Sequence, residues 1–187
     1  DSNIKTSAKR IAWAKFTNAG QTCVAPDYVL VDKSVKTEFL DHLKKSIISL
    51  YGENPEESRF YGKIINNRHF QRLESLFKNQ NIITNFKADP EKRYIAPAVL
   101  DDPEPESRVM QEEIFGPILP VISFDSIDEA TEFVTKRPKP LALYVFTENK
   151  NNSDEVLYKT SSGGACVNDA LIHLSSHHLP FGGVGTS

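Results

Sequence analysis

The strongest constraint on the fold is a repeated alternation between segments of helical periodicity and short apolar runs. Residues 34–52 carry apolar side chains at three- and four-residue steps, as one face of a helix requires. "YVLV" before this segment and "ILPVISF" at residues 118–124 are β-branched and aromatic runs, typical of buried strands. Strands that alternate with helices predict an α/β domain with a largely parallel sheet flanked by helices.

The same patterns predict the remaining elements. Helices are expected at residues 4–19, 66–79, 126–137 and 151–161, and strands at residues 82–86, 94–100, 141–147 and 163–168. Asp1 and Ser2 are suitable N-caps for the first helix, and Gly20 is a natural stop signal. Residues 169–187 show no period and are expected to form a long loop.

Composition limits the classes of partner. The chain has 187 residues, enough for one domain with a single core, and its formal net charge is −3. No basic surface is indicated, so nucleic acid is not an expected partner. No apolar run approaches the ~20 residues that a membrane helix needs. The two cysteines lie far apart in sequence, which favours reduced thiols and a cytoplasmic location.

The segment "NAGQTCVAPD" places Cys23 at a turn between a predicted helix and a predicted strand. Cysteine is often a small buried residue at such a position. A thiolate is also a strong nucleophile, and a backbone amide beside it can hold a developing oxyanion. Exposure decides between these two interpretations. Cys166 lies inside the apolar run "GGACVN" and is expected to pack within a strand.

"QEEIFGP" at residues 111–117 is a second candidate site. A carboxylate of Glu112 or Glu113 could accept ribose hydroxyl groups, and Phe115 could pack against a flat ring. The alternative is a pair of solvated carboxylates before a strand. The residues alone do not separate the two interpretations.

The end of the chain carries a histidine cluster and a glycine-rich stretch. His173 and His177 have the spacing of two ligands on one helical face, but the glutamate of H-E-x-x-H and a nearby cysteine pair are missing. We therefore expect no metal site, and polar loop positions for these residues and His178. "GGVGTS" matches neither phosphate-binding glycine pattern and is expected to be a tight loop.

Three separated stretches, "FTNAGQTCVAPDY", "QEEIFGPILPV" and "LPFGGVGTS", together resemble the aldehyde dehydrogenase superfamily. "GGACVND" followed by "HLPFGGVG" is most similar to its class 3 branch, which includes fatty- and aromatic-aldehyde dehydrogenases. The resemblance covers the chain from Asp1 to Ser187 and implies a Rossmann-like catalytic domain. It also implies that the cofactor-binding domain, the glutamate general base and the oligomerisation hairpin lie outside residues 1–187.

The resemblance assigns roles to four residues. It implies that Cys23 is the nucleophile, which forms a thiohemiacetal with an aldehyde substrate and then a thioester on the way to a carboxylic acid. Glu113 matches the glutamate that binds the nicotinamide ribose of NAD or NADP, and Phe115 matches the aromatic residue beside the nicotinamide. Asn168 matches an asparagine near the substrate.

The resemblance further implies that the parent protein is a homodimer, in a branch with both soluble and membrane-anchored members. We expect the isolated chain to be inactive, because the nucleophile and the hydride acceptor must be held together. Two alternatives stay open: a dehydrogenase that passes the thioester to coenzyme A, and a non-catalytic domain derived from the family.

Overall fold

The computed structural model describes all residues from Asp1 to Ser187. The helices are α1 (Ile4–Phe16), α2 (Lys36–Tyr51), α3 (Asn67–Phe77), α4 (Ile127–Thr135) and α5 (Lys150–Lys159). The strands are β1 (Val29–Asp32), β2 (Ala88–Asp89), β3 (Tyr94–Ile95), β4 (Ala98–Asp101), β5 (Ile118–Phe124), β6 (Ala142–Val145) and β7 (Gly164–Val167). None of the helices has the length and apolar character needed to cross a bilayer.

The sheets are mainly parallel. Strands β1, β5 and β4 form a three-stranded parallel sheet with β5 in the centre, and β6 pairs in parallel with β7. Only the short pair β2 and β3 is antiparallel. The prediction of an α/β fold with a largely parallel sheet is confirmed, although the strands belong to separate sheets.

The three-stranded sheet carries an apolar core on each face. Val99 and Leu119 pack with helices α1 and α2, whereas their neighbours Leu100 and Ile118 pack with α3. Successive strand residues point to opposite faces, so a strand covered on both sides is apolar at every position. This explains the unbroken apolar runs in β4 and β5 and gives the sheet a helix layer on each side.

The N-terminus of α1 differs from its prediction. The cap is Asn3, whose side-chain oxygen accepts a hydrogen bond from the backbone N–H of Thr6 at 3.0 Å, so the assignment of Asp1 or Ser2 as the cap is wrong. The Asp1 carboxylate is used elsewhere, since it accepts a hydrogen bond from the Thr147 hydroxyl at 2.7 Å. The first residue therefore fixes a distant loop and leaves the capping to Asn3.

The C-terminus of α1 also differs. The helix ends at Phe16 and a 3₁₀ turn covers residues Thr17–Gly20, so the predicted helix to residue 19 is wrong. Three consecutive residues in this turn, Asn18, Ala19 and Gly20, have positive φ angles of 54°, 52° and 72°. A run of left-handed residues cannot continue an α-helix, and it turns the chain sharply before Cys23.

Two strand predictions need correction. Residues 82–86 form no strand and contribute a single antiparallel bridge between Ile82 and Leu100. The predicted strand at residues 94–100 is divided into β3 and β4. The division falls at Pro97, which has no backbone N–H to donate to a ladder.

Gly20 and Gly116 bring the backbones of two loops into direct contact. A Cβ atom on Gly20 would lie 2.2 Å from the carbonyl oxygen of Gly116. A Cβ atom on Gly116 would lie 2.3 Å from the Leu73 side chain on α3. The turn before Cys23, the loop before β5 and helix α3 are therefore stacked at distances that only glycine permits.

Replacing Gly20 by alanine is expected to lower the free energy of unfolding by about 3 kcal/mol, since the methyl group must displace the Gly116 carbonyl. The left-handed φ angle alone accounts for about 1 kcal/mol of this loss. Urea denaturation measures the change. Gly185→Ala is the matched control: its φ angle is +68°, close to the +72° of Gly20, but the nearest atom to a new Cβ lies 3.7 Å away. Equal losses in the two variants would contradict the steric explanation.

Candidate active site

Cys23 lies in an exposed turn that directly follows the 3₁₀ turn Thr17–Gly20. The backbone N–H of Ala25 donates to the carbonyl of Thr22 at 3.0 Å, so Cys23 and Val24 are the central residues of a β-turn. The Cys23 side chain is exposed, and its backbone N–H donates to no acceptor in the protein. The interpretation of Cys23 as a buried packing residue does not fit this position.

Cys23 and Glu113 line the same cleft, which has a volume of about 1270 Å³. Its walls include residues of β1, α4 and β6, with apolar and aromatic side chains such as Tyr28 and Leu143. Phe115 does not line the cleft; it is half-buried and has a positive φ angle of 46°. The two loops singled out from the sequence thus both contribute to one cleft, and Phe115 does not.

The structure separates the two neighbouring glutamates. Glu112 forms ion pairs with Arg72 at 3.5 Å and with Arg108 at 2.8 Å. The Glu113 carboxylate makes no hydrogen bond or ion pair, and only its backbone carbonyl is engaged, by Arg72 at 3.0 Å. Desolvation raises the pKa of Glu113, and the nearby charge of Asp27 adds to the effect. Glu112 therefore holds the loop, and Glu113 presents a free carboxylate.

The side chain of Asn168 forms two hydrogen bonds, both with one residue. Its amide oxygen accepts from the backbone N–H of Thr147 at 2.9 Å, and its amide nitrogen donates to the Thr147 carbonyl at 2.7 Å. Asn168 itself has a positive φ angle of 60°. These contacts tie the end of β7 to the segment after β6, and they leave one donor of the amide free.

The remaining candidates have different surroundings. Cys166 is half-buried on β7, and burial raises the pKa of its thiol. His177 and His178 are exposed, but His173 is buried, contrary to the predicted polar loop position. Neither ring nitrogen of His173 has a hydrogen-bond partner, and its ring lies against Tyr144 with the centroids 5.8 Å apart. No group of three or more histidine, cysteine, aspartate or glutamate side chains is placed to hold a metal ion.

Comparison with known proteins decides the family. The family profile described as Aldehyde dehydrogenase family matches residues 1–187. The chain belongs to the aldehyde dehydrogenase family.

Its relatives within the aldehyde dehydrogenase family support the class 3 branch. The chain is 50% identical over 187 residues to "Aldehyde dehydrogenase, dimeric NADP-preferring" of Bos taurus, covering all of this chain and 78% of that sequence. It is 48% identical to "Aldehyde dehydrogenase family 3 member A2" of Mus musculus, covering all of this chain and 39% of that protein. These matches confirm the resemblance to class 3.

A solved aldehyde dehydrogenase has the same fold. The structure described as "Substrate bound state of Staphylococcus Aureus AldH" superimposes with a TM-score of 0.96 at 48% identity, covering 98% of this chain and 41% of that one. The chain thus spans about two fifths of the length of the staphylococcal and mouse relatives.

A buried lysine connects the elements of this candidate site in the aldehyde dehydrogenase chain. Lys15 is fully buried, and its Nζ lies 3.8 Å from Asp27 Oδ1 without a hydrogen bond. Burial lowers the pKa of Lys15 to about 8, against the opposing effect of Asp27 and Glu113. Asp27 in turn accepts a hydrogen bond from the backbone N–H of Ile114 at 3.2 Å. The charges of Lys15 and Asp27 therefore link α1, the segment after Cys23 and the Glu113 loop.

Neither Lys15 nor Asp27 was predicted from the sequence, although the sequence carries a signal for Lys15. Lys15 stands four residues after Ile11 and seven after Ala8, on the apolar face of α1. A lysine at such a position is directed into the core and needs an acidic partner. No comparable pattern marks Asp27, because it lies in an irregular segment.

Lys15→Met is expected to change how stability depends on pH. The folded chain releases the Lys15 proton near pH 8 and the unfolded chain near pH 10.5, so the unfolded state binds more protons between these values. The Lys15 contribution to stability therefore rises with pH across this window. From pH 7.5 to 9.5 the wild type should gain about 2 kcal/mol relative to Lys15→Met, measured by urea denaturation.

Lys9→Met on the exposed side of α1 is the control for loss of a lysine charge. The gain in stability of the wild type with rising pH should be larger relative to Lys15→Met than relative to Lys9→Met. Equal gains would show that Lys15 has the same pKa in the folded and unfolded states.

Proposed function

We propose that this chain supplies the nucleophile and part of the cofactor contact of an NAD- or NADP-dependent aldehyde dehydrogenase. The observation that carries the proposal is Cys23, an exposed thiol in a cleft shared with the free carboxylate of Glu113. Membership of the family supports this chemistry. The name of the bovine relative, "Aldehyde dehydrogenase, dimeric NADP-preferring", supports NADP or NAD as cofactor and a homodimeric parent.

In the proposed reaction the Cys23 thiolate adds to the carbonyl carbon of the aldehyde and forms a thiohemiacetal. The free backbone N–H of Cys23 donates to the oxygen that becomes negatively charged in this step. NAD or NADP, when bound, supplies the acceptor for the hydride that leaves the same carbon. The resulting thioester on Cys23 is hydrolysed by water, which gives the carboxylic acid and regenerates the thiol.

The residues of the Glu113 loop fit a nicotinamide cofactor. The unengaged Glu113 carboxylate can accept two ribose hydroxyl groups, since an ionised carboxylate has several acceptor positions. Phe115 is half-buried, which leaves part of its ring for contact with the nicotinamide side. We assign the remaining cofactor contacts, and the general base, to segments of the parent outside residues 1–187.

Cys23→Ala in the full-length protein is expected to lower the turnover number by at least roughly 1,000-fold, because no other group can carry the acyl intermediate. Reduction of NAD⁺ or NADP⁺ at 340 nm with a panel of aldehydes is the measurement. Cys166→Ala is the matched control and should retain activity, since Cys166 lies half-buried on β7. Substantial turnover in Cys23→Ala would refute the proposed function.

Two further arms of this assay separate the alternatives. A requirement for coenzyme A and formation of an acyl-CoA product would identify an acylating dehydrogenase. Complete absence of activity in the wild-type parent would favour a non-catalytic domain.

The isolated chain, residues 1–187, is expected to be inactive in every arm, because it holds no complete cofactor site. We further propose a cytoplasmic, homodimeric parent, which fractionation and sedimentation equilibrium test.

Glu113→Gln is expected to raise KM for NAD⁺ or NADP⁺ about tenfold, because an amide accepts fewer hydrogen bonds than a carboxylate. Aldehyde KM should change much less. Glu112→Gln is the matched neighbour: its carboxylate faces Arg72 and Arg108, so the variant should lose stability and keep its cofactor KM. If the two variants shifted cofactor KM equally, Glu113 would have no special role.

A further inference from the structure

The turn that carries Cys23 is held from a distant strand. The hydroxyl group of Tyr144, in β6, donates a hydrogen bond to the backbone carbonyl of Val24 at 2.8 Å. Val24 is only 2% exposed, and no other hydrogen bond reaches its carbonyl oxygen. A buried carbonyl without a partner costs free energy, so Tyr144 alone satisfies this group.

Tyr144 is itself well fixed. It lies opposite Cys166 in the parallel pair of β6 and β7, and its ring packs at a tilt against the buried ring of His173. Burial raises the pKa of Tyr144 well above its ordinary value, so the hydroxyl group stays protonated and remains a donor at neutral and moderately alkaline pH. The donor is thus available over this pH range and comes from a strand that is paired with β7.

The turn has few other constraints on the side after Cys23. The hydrogen bond from Ala25 to Thr22 closes it, but the backbone N–H groups of Cys23 and Val24 donate to no protein acceptor. The peptide that follows Val24 is therefore held at its N–H by Thr22, within the turn, and at its carbonyl by Tyr144, which is the one hydrogen bond to it from another element. An error of about 1 Å in the position of a reacting group can cost roughly 100-fold in rate.

We propose that Tyr144 is a positioning residue for Cys23: its hydroxyl group fixes the peptide after Val24 and so holds the thiol and backbone N–H of Cys23 in one orientation. This inference rests on the proposed role of Cys23 as the nucleophile. It adds a residue of β6, which the family motifs of the sequence do not include, to the site.

The test is Tyr144→Phe in the full-length protein, which removes the donor and keeps the ring. We expect the turnover number, normalised to titrated Cys23 thiol, to fall about tenfold, as loss of one hydrogen bond to a buried carbonyl implies. The KM for NAD⁺ or NADP⁺ should stay within about twofold, because Tyr144 makes no contact with the Glu113 loop. Incorporation of 4-aminophenylalanine at position 144, which restores an N–H donor, should recover most of the turnover.

Tyr158→Phe is the matched control, because the Tyr158 side chain on α5 is 92% exposed and the chemical change is identical. Equal normalised turnover in Tyr144→Phe and Tyr158→Phe would overturn the positioning role. Failure of 4-aminophenylalanine to improve on phenylalanine would do the same, since a packing role would not need the donor. Activity in Cys23→Ala would instead overturn the proposed function, so the two failures are distinguishable.

Discussion

The backbone contact between Gly20 and Gly116 is the constraint on which the candidate site depends. Cys23 follows the first glycine by three residues, and Glu113 precedes the second by three. Because neither position has room for a Cβ atom, the two loops approach more closely than side chains would allow. The separation of the Cys23 and Glu113 segments is thereby set by main-chain atoms, which vary less than side-chain rotamers.

The Lys15 charge beside this contact is costly to bury. Burial lowers the pKa of Lys15 and raises that of Asp27, so each group is in a medium that disfavours its charged form. The ion pair, at 3.8 Å, offsets this cost only in part. The pair does connect helix α1 to the Glu113 loop, since Asp27 also accepts a hydrogen bond from the backbone N–H of Ile114 beside Glu113. Asp27 lines the cleft, and an ionisable group that is costly for stability at a cleft is typical of functional sites.

Local patterns predicted most of the fold and only part of the site. Helix periodicity located α2 and α3, and apolar runs located β1 and β5, because burial on one or both faces leaves a direct trace in sequence.

The end of α1 was missed because left-handed Asn18 and Ala19 depend on tertiary contacts. Exposure of Cys23, the only property that separated its two interpretations, depends on packing between distant segments. Tyr144, the hydroxyl donor to Val24, lies 120 positions away in sequence, and no periodicity could reveal that contact.

The position of Cys23 follows from a conflict between exposure and precision. A thiol that must meet a substrate has to lie on an exposed turn, yet exposed turns have few internal contacts and are mobile. Here the contacts lie on both sides of the turn: the Gly20 backbone precedes it, and the Tyr144 hydrogen bond to Val24 follows the thiol. Neither contact uses the backbone N–H of Cys23 itself. The backbone N–H of Cys23, the proposed oxyanion donor, can therefore stay free in a segment that is nevertheless held at both ends, and that combination needs partners drawn from other elements of the fold.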